Sequence, residues 1–384
     1  MSYNAGNDGA HIRPFPTTAR ALRGRPAMSA ESALEPATLR IHRSERLLAT
    51  LAAHDRIVLV SHVNPDPDAL ASMMGLQALF AAKLPGKQVI LTVDGIIARA
   101  ENQAMADLLR IPLERVDSVP ILAGTAVVMV DSQPHTGRRG SESATPLVVL
   151  DHHETPGRLD DVKFLDIRPN LGATSTLVTG YLLEQDVAVS KRLATALLYG
   201  IESEVSGYPR EASPADDGAL VWLFPRVDKD LLARIRNPKL PRSYFAAFQN
   251  ALTNAFLYRD AVICWCGDVS QPDIIAELAD FFIRFDQVAW AICLGSYDGL
   301  LKISARTDYI GGHCGEVLRE AVDGLGSAGG HDKRAGGAIP LDVDGKRSRD
   351  ELLHLLRGRI LSRLNISDTT GRRFLEDSPR ISAP

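Results

Sequence analysis

Ser61-His62-Val63-Asn64-Pro65-Asp66-Pro67-Asp68-Ala69-Leu70-Ala71-Ser72 is the stretch on which the fold turns. It follows Arg56-Ile57-Val58-Leu59-Val60, an apolar run that reads as a buried strand, and it leads into residues 70–84, whose apolar positions recur at helical spacing. The stretch is therefore a strand-to-helix crossing. In an open α/β sheet, ligands sit outside the carboxyl ends of the strands, at such crossings. A histidine and two aspartates at i, i+4 and i+6, beside two prolines that fix φ, suit a hard metal ion. The loop alone also has a plainer reading, with Asp68 as a helix N-cap.

Two later strand ends repeat the pattern. Residues 125–130 form a second apolar, β-branched run that ends on Asp131-Ser132, and residues 146–150 form a third that ends on Asp151-His152-His153. In a parallel sheet these ends share one edge, so three separate segments deliver four aspartates and three histidines to one place. Packing alone does not call for that convergence.

Four ordered motifs then make the chain recognisable. They are Ser61-His62-Val63-Asn64-Pro65-Asp66-Pro67-Asp68-Ala69, Val130-Asp131-Ser132, Asp151-His152-His153, and Gly329-Gly330-His331 with Ala335-Gly336-Gly337. Together they resemble the DHH family of phosphoesterases, in the form that carries a C-terminal DHH-associated domain, over residues 45–345. The resemblance implies a two-metal centre. His62 and Asp66 would hold one ion, Asp68, His152 and Glu204 the other, and Asp131 would bridge them. His153 would bind the phosphate or protonate the leaving oxygen, with Asp151 orienting a histidine; the plainer reading of Asp151 is a helix N-cap. Mixed imidazole and carboxylate ligands favour two Mn²⁺, with Mg²⁺ or Co²⁺ as substitutes. Two departures stand out: Glu204 occupies the place of the family's aspartate, and Ala71 that of a glycine.

The charge is nearly balanced, with a formal net of −4, so the chain carries no bulk attraction for long nucleic acid and must meet an anionic substrate locally. With 384 residues, 45% hydrophobic and 23% charged, it has the size of two domains and an ordinary globular composition. No run of 18 apolar residues reads as a membrane span. Cys264, Cys266 and Cys293 lie in apolar runs and read as small hydrophobes, the sharper alternative being a Cys-x-Cys zinc half-site. A reducing cytoplasm fits these cysteines best. Residues 1–40 read as a disordered tail without a secretory signal, and Met28 offers a second start.

The expected architecture is α/β. A doubly wound, mainly parallel sheet with helices on both faces occupies residues 41–206. A helical connection spans 207–256, a smaller α/β domain 257–365, and a flexible tail 366–384. The helix from Ser190 is expected to end at Gly200. Hydroxyls at Thr174, Ser175 and Thr176 read as caps. In the second domain, Ser296-Tyr297-Asp298-Gly299 predicts an antiparallel hairpin. By resemblance, Arg306 and His331 bind substrate, Gly329 and Gly330 shape their loop, and Arg334, which replaces a small alanine of the family, is a further phosphate contact or a solvated residue.

The resemblance extends to substrate class: short single-stranded oligonucleotides or nucleotide phosphates, as in stand-alone members that degrade very short RNA and remove the 3′-phosphate of adenosine 3′,5′-bisphosphate. Single-strand exonuclease or dinucleotide phosphodiesterase activity is the alternative, and a low-activity nucleotide-binding regulator is a second. A homodimer is compatible with each.

Overall fold

The computed structural model describes residues 42–375, apart from 98, 135–144, 155–156, 206–211 and 342–347. The expectations for residues 1–40 and for the last nine residues lie outside the described residues. The first sheet is built from β1 (Arg56–Val60), β2 (Gln88–Val93), β3 (Leu113–Arg115), β4 (Ala126–Val130), β5 (Val148–Asp151) and β6 (Phe164–Ile167). All pairs are parallel, in the order β3-β2-β1-β4-β5-β6. The chain winds outward from β1 through β3, then returns to the other side of β1 as β4. The strand order thus reverses between β1 and β4, the kind of crevice where open sheets bind ligands.

Around this sheet lie α1 (Arg43–Leu51), α2 (Pro67–Lys83), α3 (Ala100–Leu108), α4 (Thr174–Glu184), α5 (Lys191–Val205), α6 (Pro214–Leu223) and α7 (Lys229–Arg236). The pattern predicts helices on both faces. Instead, the apolar residues of all seven join one cluster on the face of Ile57, Leu59 and Val128. The opposite face, with Val58, Val60, Val127 and Met129, is joined among the described residues by Val119, Val162 and Ile167. Leu223, Leu232 and Ile235 belong to the first core, so α6 and α7 extend this lobe rather than form a free connection.

α8 (Arg242–Thr253) begins the second lobe. Its sheet contains β7 (Ala255–Tyr258), β8 (Ala261–Asp268), β9 (Trp290–Tyr297), β10 (Leu300–Thr307), β11 (Ser327–Gly330), β12 (Arg334–Pro340) and β13 (Arg372–Arg373). The order is β11-β12-β10-β9-β8-β7-β13, antiparallel except at β8–β9. The helices are α9 (Asp273–Phe282), α10 (Cys314–Val322) and α11 (Arg349–Arg363). Alternation along β9 sends Ile292 and Leu294 to the face of α10 and α11, and Ala291 and Cys293 to the face of α8 and α9. The predicted β9–β10 hairpin is present, with Asp298 and Gly299 at φ 47° and 71°.

α5 does not stop at Gly200 but runs a further turn to Val205, which places Glu204 on a helix. The missing side chain serves packing. A Cβ at Gly200 would stand 2.6 Å from Ser175 Oγ and 2.8 Å from Ala71 Cβ. Gly200→Ala should therefore lose about 1–3 kcal/mol, as overpacking outweighs the helix-propensity gain of roughly 1 kcal/mol. Gly180→Ala, in α4 with nothing within 4 Å of a new Cβ, should gain stability instead. Denaturant midpoints that move in the same direction for both variants would contradict this packing.

Candidate metal centre

The site grows from the carboxyl ends of β1, β4 and β5. Asn64 takes a left-handed conformation at φ 58°; its backbone N–H donates to Asp94 O at 3.0 Å, and its Oδ1 accepts from Ile96 N at 2.8 Å. These bonds tie the loop after β1 to the loop after β2. Asp66, not Asp68, is the N-cap of α2: its Oδ1 accepts from Ala69 N at 3.0 Å, and Pro67 fills the first helical position. Asp68 lies completely buried in the first turn.

Asp131 is the common member of the site. Its Oδ2 lies 3.6 Å from His62 Nε2, and its Oδ1 lies 3.4 Å from His152 Nε2. His62 Nε2 is also 3.6 Å from Asp66 Oδ2, and His152 Nε2 is 3.8 Å from Asp68 Oδ2. Two groups of ligand-capable atoms result, each with all members within 4.8 Å: His62, Asp66 and Asp131, and Asp131, Asp151, His152 and His153.

These side chains fit divalent cations. Nitrogen-to-oxygen separations of 3.4–3.8 Å exceed hydrogen-bond length, yet ligands sharing an ion at roughly 2.1 Å stand roughly 3–3.5 Å apart. Each ring also turns Nδ1 to a backbone carbonyl, His62 to Val63 O at 3.0 Å and His152 to Leu171 O at 3.3 Å. A carbonyl only accepts, so Nδ1 carries the proton and Nε2 can offer its lone pair to a cation.

Further side chains brace the cluster. The first turn of α4 meets Asp68: Thr174 N donates to Oδ2 and Ser175 N to Oδ1, both at 2.7 Å, and Ser175 Oγ donates to Oδ1 as well. Thr174 Oγ1 donates to Asp131 Oδ1 at 2.9 Å. These hydroxyls read as caps in the sequence, whereas they serve carboxylates more than 40 residues away. Asp151 begins no helix. It closes β5 and accepts from His152 N at 2.7 Å, His153 Nδ1 at 2.8 Å and Gln133 Nε2 at 2.7 Å. It thereby orients His153, the more exposed of the pair. Gln133, which the sequence reading passes over, also donates to His153 O at 3.0 Å.

Glu204 joins neither group among the described residues. It stands half-buried in the last turn of α5, where its charge acts on Arg334 of the second lobe. Arg334 and Arg306 are register partners on β12 and β10. Arg306 is buried, donating from Nε to Asp280 Oδ1 at 2.5 Å and from Nη1 to Ser304 Oγ at 2.8 Å. Gly329 and Gly330 lie within β11 rather than in a loop, and exposed His331 follows them in the turn. Gly330 is obligatory there, at φ 151° with Arg334 O 2.3 Å from where a Cβ would be. The three core cysteines lie together and buried, with Cys264 and Cys293 Sγ 3.0 Å apart.

Residues 56–201 match the family described as DHH family, N-terminal domain. The first lobe is a DHH-family domain. Among curated proteins, the chain is 30% identical over 318 residues to an uncharacterized protein of Methanocaldococcus jannaschii, covering 81% of this chain and 65% of that one. It is 24% identical over 192 residues to the probable bifunctional oligoribonuclease and PAP phosphatase NrnA of Streptococcus mutans (50% and 58% covered). It is also 25% identical over 307 residues to the cyclic-di-AMP phosphodiesterase GdpP of Geobacillus thermodenitrificans (75% and 45%). The chain thus spans about half to two thirds of the length of these relatives. An exopolyphosphatase-related protein from Bacteroides fragilis shares the two-lobe fold, with a TM-score of 0.66 at 18% identity over 83% of this chain and 96% of that one. Among the described residues, no helix is long and apolar enough to cross a membrane.

Without cations the DHH cluster retains protons. Burial, and then the charge of Asp66, push Asp68 up to about 7, and burial with the charge of Asp68 drives Asp131 well above the usual carboxylate range. Burial opposes the charge on His62, but the neighbouring carboxylates of Asp131 and Asp66 outweigh it and raise the ring to about 11. The folded chain therefore binds protons that the unfolded chain releases nearer 3.8 and 6.5, and stability falls as pH rises through these windows. Asp66, held low by His62 against the effect of burial, works the other way only in acid. In chelator, Tm should be lower at pH 8 than at pH 5. Added Mn²⁺ should raise Tm more at pH 8, where fewer protons compete for the ligands. A larger metal shift at pH 5 would contradict this.

Proposed function

We propose that the chain is a metal-dependent phosphoesterase that hydrolyses short RNA oligonucleotides and removes phosphate from adenosine 3′,5′-bisphosphate. The observation that carries this reading is the pair of histidine–aspartate groups joined through Asp131, at the reversal point of the parallel sheet. His62 and Asp66 would hold one divalent ion, Asp68 and His152 the other, and Asp131 both; Glu204 is proposed only as an outer member that reaches the site from α5. Bound Mn²⁺ would supply Lewis-acid charge for the phosphoryl oxygens and make water acidic enough to attack at neutral pH.

The chain's own side chains have distinct tasks. Asp151 and Gln133 hold the His152-His153 backbone, and Asp151 fixes His153 through Nδ1. Nε2 of His153 is then the nitrogen that would give a proton to the leaving oxygen. Asp68 is kept in place by two amides of α4, so its oxygens do not swing when substrate arrives. Arg306, and Arg334 beside it, would grip a phosphate that is not cut, with His331 and the backbone at Gly329 and Gly330 shaping the end of the cleft. The likeness to NrnA supports oligoribonucleotide and bisphosphate substrates. A second reading, hydrolysis of cyclic or linear dinucleotides, draws support from the match to GdpP, which runs over 75% of the chain.

Turnover with Mn²⁺ of an RNA dinucleotide, adenosine 3′,5′-bisphosphate, a cyclic dinucleotide and single-stranded DNA of about 20 nucleotides separates these readings. The dinucleotide and the bisphosphate should be turned over fastest, and Asp131→Asn should reduce both to background. His153→Ala should cut kcat by about 10²–10⁴ on RNA, and by much less on an aryl phosphate ester whose leaving group needs no proton. Preference for the longer DNA would sink the short-substrate reading, and an equal loss on the aryl ester would remove the proton-donor role.

A further inference from the structure

Asp280, on α9 of the second lobe, binds arginines from both lobes. Its Oδ1 accepts from Arg306 Nε at 2.5 Å, and its Oδ2 lies 3.4 Å from Arg306 Nη2 and 3.8 Å from Arg99 Nη2. Arg99 stands at the carboxyl side of β2, in the loop whose Ile96 N–H is bonded to Asn64, two residues from His62. The carboxylate of Asp280 therefore sits on the metal-bearing edge of the first sheet, between two guanidinium groups. A third is adjacent: Arg334 pairs with Arg306 across β10 and β12 and feels the charges of Asp280, Arg306, Arg99 and Glu204.

Arg306 and Arg99 both pair with the one carboxylate of Asp280, which is only about one-third exposed, with Arg306 nearly enclosed at 9%. Guanidinium forks converging from two directions match the oxygens of a phosphate better than those of one carboxylate. We propose that Asp280 is an internal stand-in for a substrate phosphate, and that Arg99 of the first lobe is a phosphate-binding residue which Asp280 releases when that phosphate arrives. The proposal rests on the phosphoesterase reading and deepens it: the favoured substrate carries a second, uncut phosphate that lies between the lobes. Because Asp280 competes for the same guanidiniums, it sets how strongly substrates with that phosphate are preferred over those without it. Asp273 and Glu277 lie on the same stripe of α9, and Arg99 acts on both through its charge.

The test is equilibrium binding of adenosine 3′,5′-bisphosphate to the full chain in chelator, where no hydrolysis interferes, with adenosine 3′-monophosphate as the probe lacking one phosphate. Asp280→Asn, nearly isosteric, should tighten bisphosphate binding by about tenfold, and Arg99→Ala should weaken it by about as much. Arg99→Lys should restore part of the loss, since charge returns without the fork. Binding of the monophosphate should change by less than about twofold in all three variants. Weaker bisphosphate binding in Asp280→Asn would mean that Asp280 only supports Arg306, and unchanged binding in Arg99→Ala would mean that Arg99 only braces the lobes; either overturns the proposal. Absence of bisphosphate binding to wild type would also overturn it, while Mn²⁺-dependent turnover of RNA, measured separately, would show whether the phosphoesterase reading survives.

Discussion

Asp131 is buried between two histidines that approach its two oxygens from opposite groups, and the rest of the first lobe is arranged around that fact. Several carboxylates gathered in a low-dielectric crevice repel one another, and burial taxes each charge further. Such a cluster persists only if protons or cations complete it. The geometry suits cations: both imidazoles are fixed through Nδ1, and Asp68 is held by the amides at the start of α4. Those amides carry the partial positive charge of a helix N-terminus, so the helix stabilises the carboxylate it positions.

The parallel sheet makes this assembly possible. Strand ends as far apart in sequence as Val60 and Asp151 meet on one edge, and the reversal between β1 and β4 opens the crevice in which Asp131 stands. Tight packing beneath the site then turns geometry into rigidity. Gly200 lets α5 approach Ser175 and Ala71 closely, linking the helix that carries Glu204 to the turn that holds Asp68. Across the cleft the second lobe contributes arginines on a mixed sheet, with Asp280 between them and Arg99. Under the proposed function, the hard-ligand groups of one lobe would meet the reacting phosphoryl group and the guanidiniums of the other its neighbour.

Much of this was legible in the sequence because apolar strands ending on Asp or His mark an edge directly: Asp131 and Asp151 follow runs whose periodicity admits little else. The hairpin at Asp298-Gly299 was legible for a similarly local reason, since two residues at positive φ suit that turn. What escaped depends on contacts made far along the chain. Thr174 and Ser175 look like caps because the carboxylates their hydroxyls meet, Asp131 and Asp68, lie 43 and 107 residues away. Gly200 looks like a helix stop because its need for closeness is set by α2 and α4. Proline punctuation separates α6 and α7 in the sequence, yet Leu223 and Ile235 return them to the first core. The Arg99–Asp280 contact joins two lobes and leaves no local signal in either.

The central claim is that Asp131 unites two cation positions in one site. Counting bound Mn²⁺ by titration calorimetry on the full chain, checked by anomalous scattering from crystals, tests it most directly. The account predicts two ions per chain, on the His62 side and the His152 side of Asp131, with both weakened in Asp131→Ala. A single ion, or two whose affinities ignore that substitution, would contradict it.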